Sequence, residues 1–306
     1  MVLYFYHILE KNTLAHLALF AVALIYAANF SIAKIVLGGA YIGPSAFIVC
    51  RVSAALFLFV VYHAIFVKEK ISKEDIKPLF WCAVFGVATN QLFFFLGLAL
   101  TTPIHAALIM TTTPIVVLLV EAFMKGVKIT STKIIGILLA FGGAIFIILS
   151  GKELSFNKQT TLGDLFVFAN AASYSVYLVK IKPFIGKYHP ITINRITFMF
   201  GLLMVLPFGL LGLQNVSWHT FDIKIWSAFL YVLIFTTFFT YYFNAWAMLI
   251  VNPSVVGVYI YLQPLLTAVI ALLAGSDQLE WNVVFAAVFI FFGVFLVSYK
   301  KKLQSR

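Results

Sequence analysis

Apolar runs broken by short polar stretches divide the chain into segments of about 20 residues, the length that crosses a bilayer as a helix. The runs fall at residues 14–33, 45–66, 79–99, 103–122, 134–150, 162–180, 193–213, 226–247, 252–273 and 282–299. Strand-like alternation is scarce, and most segments lack the polar face of a water-facing helix. A helix satisfies its own backbone groups, as hydrocarbon demands of a spanning element. The pattern predicts an all-α polytopic membrane protein with ten transmembrane helices. It argues against a porin-like barrel, whose strands alternate polar and apolar positions. The first run has no clean small-residue cleavage site and is expected to be retained.

The same punctuation occurs twice. Ala27-Ala28-Asn29-Phe30-Ser31 returns as Ala171-Ala172-Ser173-Tyr174-Ser175, and Arg51 as Arg195, each 144 residues later. Pro103, Pro114 and Gly143 return as Pro253, Pro264 and Gly293, 150 residues later. Five runs per half is an odd number, so the second copy enters the membrane from the opposite side. This predicts two inverted five-helix repeats, 14–150 and 162–299, about a pseudo-twofold axis in the membrane plane. Both halves are expected to pack as a single transmembrane domain over residues 1–306, joined by an exposed linker, Ser150–Leu162. Duplicated apolar units, each with a broken or polar segment, are the usual trace of a secondary transporter.

Composition sharpens this picture. Of the 306 residues, 63% are hydrophobic and 10% charged, where soluble domains carry about 25% charged residues. The 33 Phe and 14 Tyr suit lipid contact and interfacial belts. A net charge of +11 suggests nucleic acid until its placement is considered. Alternating loops put Lys68, Lys70, Lys73, Lys77, Lys125, Lys128, Lys180, Lys182 and Lys187 on one side. Only Lys34, Lys152, Lys158 and Lys224 fall on the other. The charge is therefore a topology signal that predicts cytoplasmic termini in an inner or plasma membrane. Contact with anionic membrane lipid is a secondary role, and no nucleic-acid partner is expected. Cys50 and Cys82 make neither a disulfide framework nor a metal site. No metal, cofactor or catalytic residue is expected, since no reacting constellation can be placed.

Pro103 and Pro253 follow short polar connections, where a helix's first turn needs no donor. Pro114 and Pro264 fall eleven residues further on and predict matched kinks, serving either packing or the wall of a central cavity. Small residues at Gly86, Gly97, Gly136, Gly142, Gly143, Gly201, Gly257 and Gly293 predict close helix crossings. Charge inside a bilayer is costly and turns inward. Arg51 and Arg195, read near the middle of their spans, are structural or gating candidates together with Pro114 and Pro264. The rival role for the arginines is to seat a substrate carboxylate. Glu121 is expected to pair with Lys125 one turn on, and no other acid is placed deep in a span.

The substrate-binding candidates are Asn29, Asn90, His105, Ser173, Tyr242, Asn244, Trp246, Tyr259 and Gln263. Each has a rival role as a helix-to-helix hydrogen bond or an interfacial anchor. Thr101, His105, Ile109 and Thr113 trace one stripe, and Asn252, Val255, Tyr259 and Gln263 trace its counterpart. Gln91 adjoins Asn90. Tyr241 and Asn244 present one face of their helix, Tyr242 and Trp246 another. His105 stands alone in its run, and a lone histidine is poor evidence for a proton switch.

The duplicated set of Asn29-Phe30 with Ser173-Tyr174, Arg51 with Arg195, Pro114 with Pro264, and glycines in the fifth and tenth runs resembles the drug/metabolite transporter superfamily. Within it, the chain resembles the EamA-type ten-helix carriers over residues 14–299. The resemblance implies alternating-access carriers of small solutes, often exporters, and the bacterial branch it most resembles exports aromatic and other neutral amino acids. Other branches carry quaternary ammonium compounds or sugar and nucleotide phosphates. A Gly-Glu-x-Leu-like turn is common after the fourth and ninth spans of such carriers. Here Gly126-Val127-Lys128-Ile129 has no acid, while Ser276-Asp277-Gln278-Leu279 offers Asp277. The expected function is secondary transport of small neutral metabolites, amino acids foremost. Quaternary amines, phosphorylated solutes and a non-transporting receptor are the alternatives.

Overall fold

A computed structural model of the chain describes residues 2–38, 41–126, 129–149, 158–247, 250–251 and 253–298. The core of the expected linker, 150–157, and Asn252 lie outside the described residues, as do the side chains of Lys125 and Val255 and the surroundings of Gly257. The helices are α1 (Val2–Gly38), α2 (Pro44–Tyr62), α3 (Lys73–Ala83), α4 (Thr89–Leu100), α5 (Pro103–Met110), α6 (Thr113–Lys125) and α7 (Ser131–Leu149). They continue as α8 (Lys158–Ile181), α9 (Pro190–Gln214), α10 (Ile223–Leu233), α11 (Thr240–Ala247), α12 (Pro253–Leu273) and α13 (Trp281–Ser298). Among the described residues seven helices are long and apolar enough to cross a membrane. Three shorter apolar helices, Ser131–Phe146, Leu262–Leu273 and Trp281–Leu296, accompany them.

Among the described residues three spans are not uniformly α-helical. A π turn, His63–Val67, ends the α2 span, a second, Val84–Ala88, joins α3 to α4, and a third, Ile234–Phe239, joins α10 to α11. The second and third begin 150 residues apart, the spacing of the duplicated prolines. A π turn widens the helix locally and recurs at functional sites. The proline pair behaves asymmetrically. Pro114 does not kink a continuous helix: the chain breaks at Thr111-Thr112, whose hydroxyls donate to Leu108 O and Ile109 O, and Pro114 sits in the first turn of α6. Pro264 lies inside the unbroken α12.

The most extensive packing joins α7 to α13, α2 to α9, α4 to α8 and α1 to α12. The α7–α13 crossing is antiparallel and allows no side chain between the backbones. A Cβ on Gly143 would meet Ala286 O at 2.9 Å and Ile290 Cγ1 at 2.9 Å; one on Gly293 would meet Gly136 O at 2.5 Å and Ala140 N at 2.6 Å. Each residue's partners are again 150 apart, 136 with 286 and 140 with 290, so the contact maps onto itself when the halves exchange. Gly142 differs from the expectation of close packing, since nothing lies within 4 Å of its would-be Cβ. Gly143→Val is expected to lower stability by about 1–3 kcal/mol, while Gly142→Val changes it by less than about 0.5 kcal/mol. Thermal unfolding of the detergent-solubilised pair checks this contrast.

Directions elsewhere follow from paired contacts. Thr267 Oγ1 donates to Ala27 O and Ser276 Oγ to Ser31 Oγ, so α1 and α12 run parallel. Ser173 Oγ donates to Phe85 O, while Gly163 touches Gly97, so α8 runs antiparallel to the α3–α4 span. Phe47, Phe59, Phe95 and Phe198 are fully buried where α2, α4 and α9 meet. At the lysine-rich end, Tyr188 donates to Asp75 Oδ2 at 2.5 Å and accepts from Ser72 N, and Lys187 reaches the same carboxylate at 2.6 Å. That bond holds the Lys187 ammonium above its ordinary pKa. Glu121 pairs with Lys182, from the connection between α8 and α9, at 3.6 Å; the expected partner Lys125 has its side chain outside the described residues.

Candidate functional site

Arg51 is the eighth residue of α2 and turns into the core, only 7% exposed. Its Nε donates to Thr237 Oγ1 at 3.1 Å, one terminal nitrogen donates to Gln91 Oε1, and the other donates to Thr236 O at 3.3 Å. The guanidinium carbon lies 5.2 Å from the centre of the Phe95 ring. One side chain thus ties α2 to α4 and to the Ile234–Phe239 π turn. Two of its five N–H groups remain for another partner. The neighbours that act on it electrostatically are the phenols of Tyr241 and Tyr26, so the described residues bring no carboxylate to balance this cation.

Four tyrosines complete this region. Tyr26 lies on α1 against Thr240, Tyr174 and Tyr177 on α8, and Tyr241 on α11. Their hydroxyls are within electrostatic range of one another. All four are enclosed by neighbouring helices yet keep part of their surface accessible. Tyr174 stacks on Tyr177 at 5.7 Å, and Tyr241 meets Phe59 and Phe198 edge-on. Gly86, in the Val84–Ala88 π turn, is there because the Tyr177 ring occupies the space a Cβ would need. Asn29 Oδ1 and Asn170 Oδ1 are buried without a partner among the described residues. They flank the tyrosines, three residues from Tyr26 and four from Tyr174.

A second polar cluster lies at the end away from the lysine-rich loops. Asp164 is completely buried near the start of α8, which corrects the expectation that no acid but Glu121 sits deep in a span. Thr101 Oγ1 donates to its Oδ1, and His105 Nδ1 lies 3.1 Å from its Oδ2. Lys34 donates to Thr101 O. Asp277 accepts from Ile104 N at 3.1 Å and so caps α5 from the turn between α12 and α13. The acid in the Ser276–Leu279 turn is therefore occupied by a helix end.

Other expected site residues are placed as follows. Ser173 is committed to Phe85 O, and the Asn90 carbonyl accepts from Asn170 Nδ2 at 2.7 Å. Tyr242 points outward, 36% exposed, and stacks on Phe238; the inward face of that helix belongs to Tyr241. Tyr259 OH meets His16 Nδ1 at 3.0 Å and, with Trp246, packs against Ala15, Leu19 and Ala247. Asn244 and Gln263 are half-buried. Arg195 is not drawn into the core like Arg51. It stands in the second turn of α9 near His63, its Nε buried without a partner among the described residues. Tyr26, Tyr177, Asn170, Asp164 and Lys34 were missed. The signal for the α8 group was a polar stripe, Asn170, Ser173, Tyr174 and Tyr177, at helical spacing in an apolar run.

The model of the EamA-like transporter family matches residues 13–149 and again 161–299, one copy per half. The chain belongs to the EamA-like transporter family. An uncharacterized transporter of Archaeoglobus fulgidus is 28% identical over 294 residues, covering 95% of this chain and 99% of its own. The uncharacterized transporter YyaM of Bacillus subtilis is 23% identical, covering 94% of each chain. A WAT1-related protein of Arabidopsis thaliana is 28% identical over 72% of this chain and 64% of its own. A crystal structure sharing 19% identity superposes with a TM-score of 0.63 over 93% of this chain and 96% of that one, a likeness of fold. EamA-like proteins are transporters, not enzymes, so this chain is a multi-pass membrane transporter of a small solute.

Proposed function

We propose that the chain is a secondary transporter of small neutral metabolites carrying a carboxylate, amino acids with apolar or aromatic side chains foremost. The observation that carries this reading is Arg51, a buried cation without an acid, set among four tyrosines. Its two remaining N–H groups suit a carboxylate, because a charge-assisted fork supplies direction as well as energy. The tyrosine rings offer contact for a carbon skeleton and the phenols replace lost water. An ammonium group would find acceptors in Asn29 and Asn170 once the flanking helices shift. Tyrosines also suit a quaternary amine, the second reading, but the Arg51 charge opposes a ligand that is only a cation. A phosphorylated solute is a poorer match, because the described residues add no second cation beside Arg51.

In this reading the chain spans the membrane ten times as two inverted five-helix repeats within one domain, both termini cytoplasmic, in an inner or plasma membrane. Three features support it: the self-mapping α7–α13 contact, the paired π turns, and the segregation of lysines to one end. Alternating access then has the two halves rock about the Arg51 region. Counterflow in proteoliposomes containing mixed neutral amino acids, read by mass spectrometry, tests the proposal. Saturable, protein-dependent exchange of amino acids is expected. Exchange of choline-like amines alone would overturn the substrate class, and movement of no solute by folded protein would overturn transport of these classes.

A further inference from the structure

The Arg51 region makes no use of the second cluster, whose parts come from α1, α4, α5, α8 and the turn between α12 and α13. We infer that His105 and Asp164 form a single-proton site that fastens this end of the carrier. The coupling role rests on the transport reading; the proton site itself does not. An ionised carboxylate only accepts, so His105 Nδ1–H donates to Asp164 Oδ2 and leaves Nε2 as the atom that takes up the proton. Thr101 Oγ1 holds the other oxygen from the end of α4, so Asp164 cannot turn away to water while this end is closed.

The charges facing the pair set its balance. From α1 comes Lys34, which acts electrostatically on both Asp164 and Asp277. From the turn between α12 and α13 comes Asp277, with Glu280 at the start of α13 beyond it. Asp164 is completely buried, whereas Asp277 and Lys34 keep part of their surface exposed. A buried carboxylate is costly unless it is paired, so a proton on His105, which makes the imidazolium the ion-pair partner of Asp164, favours the closed arrangement, and deprotonation favours parting α5 from α8 and hydrating Asp164. Opening this end for a solute is then linked to release of one proton.

Hydrogen exchange of the full-length protein, followed at residues 100–110 from about pH 5.5 to about pH 8.5 and corrected for intrinsic rates, reads this directly. Protection is expected to fall with rising pH by up to about tenfold per unit, the slope of a one-proton linkage. His105→Gln and Asp164→Asn should flatten the slope, and Asp164→Glu should restore it. In proteoliposomes, wild type should accumulate phenylalanine under an imposed pH gradient. The two flattened variants should exchange it without accumulating it. A flat wild-type slope, or a slope unchanged in both variants, overturns the proton site. A slope that the variants remove, in a protein that moves no solute, supports the proton site and defeats the transport reading instead. Exchange of phenylalanine with neither slope nor response to the gradient does the reverse.

Discussion

Replacing Arg51 by lysine is expected to reduce amino-acid counterflow by about 100-fold, while the protein remains folded. The positive charge survives this change but the fork does not. A lysine ammonium is a point donor on a flexible stem, unable to serve Thr237, Gln91 and Thr236 at once and still meet a carboxylate. Loss of one charge-assisted pair is worth about 1.5–3 kcal/mol, and about 2.7 kcal/mol corresponds to the stated factor. Gln91→Leu separates the two roles of the arginine. It deprives the guanidinium of a buried partner, so stability should fall by about 1–3 kcal/mol, yet the donors meant for solute remain. Initial rates at equal protein, with monodispersity checked by size exclusion, measure both. Wild-type rates for Arg51→Lys would reduce Arg51 to a cross-link between helices.

Gly163→Leu is expected to cost about 3 kcal/mol or more and to leave little folded protein. A Cβ at this position would meet Thr101 N at 2.8 Å, Gly97 O at 2.9 Å and Leu100 C at 2.9 Å, all of them backbone atoms. No side chain can swing aside to absorb the insertion, so α4 and α8 must part. Overpacking a close crossing commonly costs 1–3 kcal/mol even where side chains yield, about the lower limit here. Parting the helices would also separate Thr101 from Asp164. The yield of monodisperse protein and the unfolding temperature check the outcome, and near-wild-type values would show that this crossing is loose.

The all-helical character was legible because hydrocarbon leaves the backbone few choices: each apolar run is helical, though α1 begins twelve residues before the expected start, α3 six before, and the run 103–122 divides into α5 and α6. The duplicated glycines were legible for the same reason, since close crossings admit few residues. Pro114 and Pro264 show the limit. Matched prolines predict matched kinks, but Thr111 and Thr112 cap their own preceding turn and convert the first into a break. The π turns were hidden, because widening a helix by one residue shifts the register of a face without altering hydropathy. That shift helps explain why Tyr241, not Tyr242, turns inward. Asp164 was overlooked because it stands third in its predicted span, where an acid is ordinarily solvated; the fold instead seals that end with Thr101 and His105. Lone polar residues become readable as a site only when helices distant in sequence bring them together.

The central claim is that Arg51, balanced by no acid, selects a carboxylate among solutes that otherwise look alike to the tyrosines. Parallel counterflow of phenylalanine and phenylalaninol through the reconstituted wild-type protein tests it most directly. The two share a ring and an amine and differ in the carboxylate alone. Saturable exchange of phenylalanine is expected, with phenylalaninol at least about tenfold slower, a difference of about 1.4 kcal/mol. Equal exchange, or preference for phenylalaninol, would contradict it.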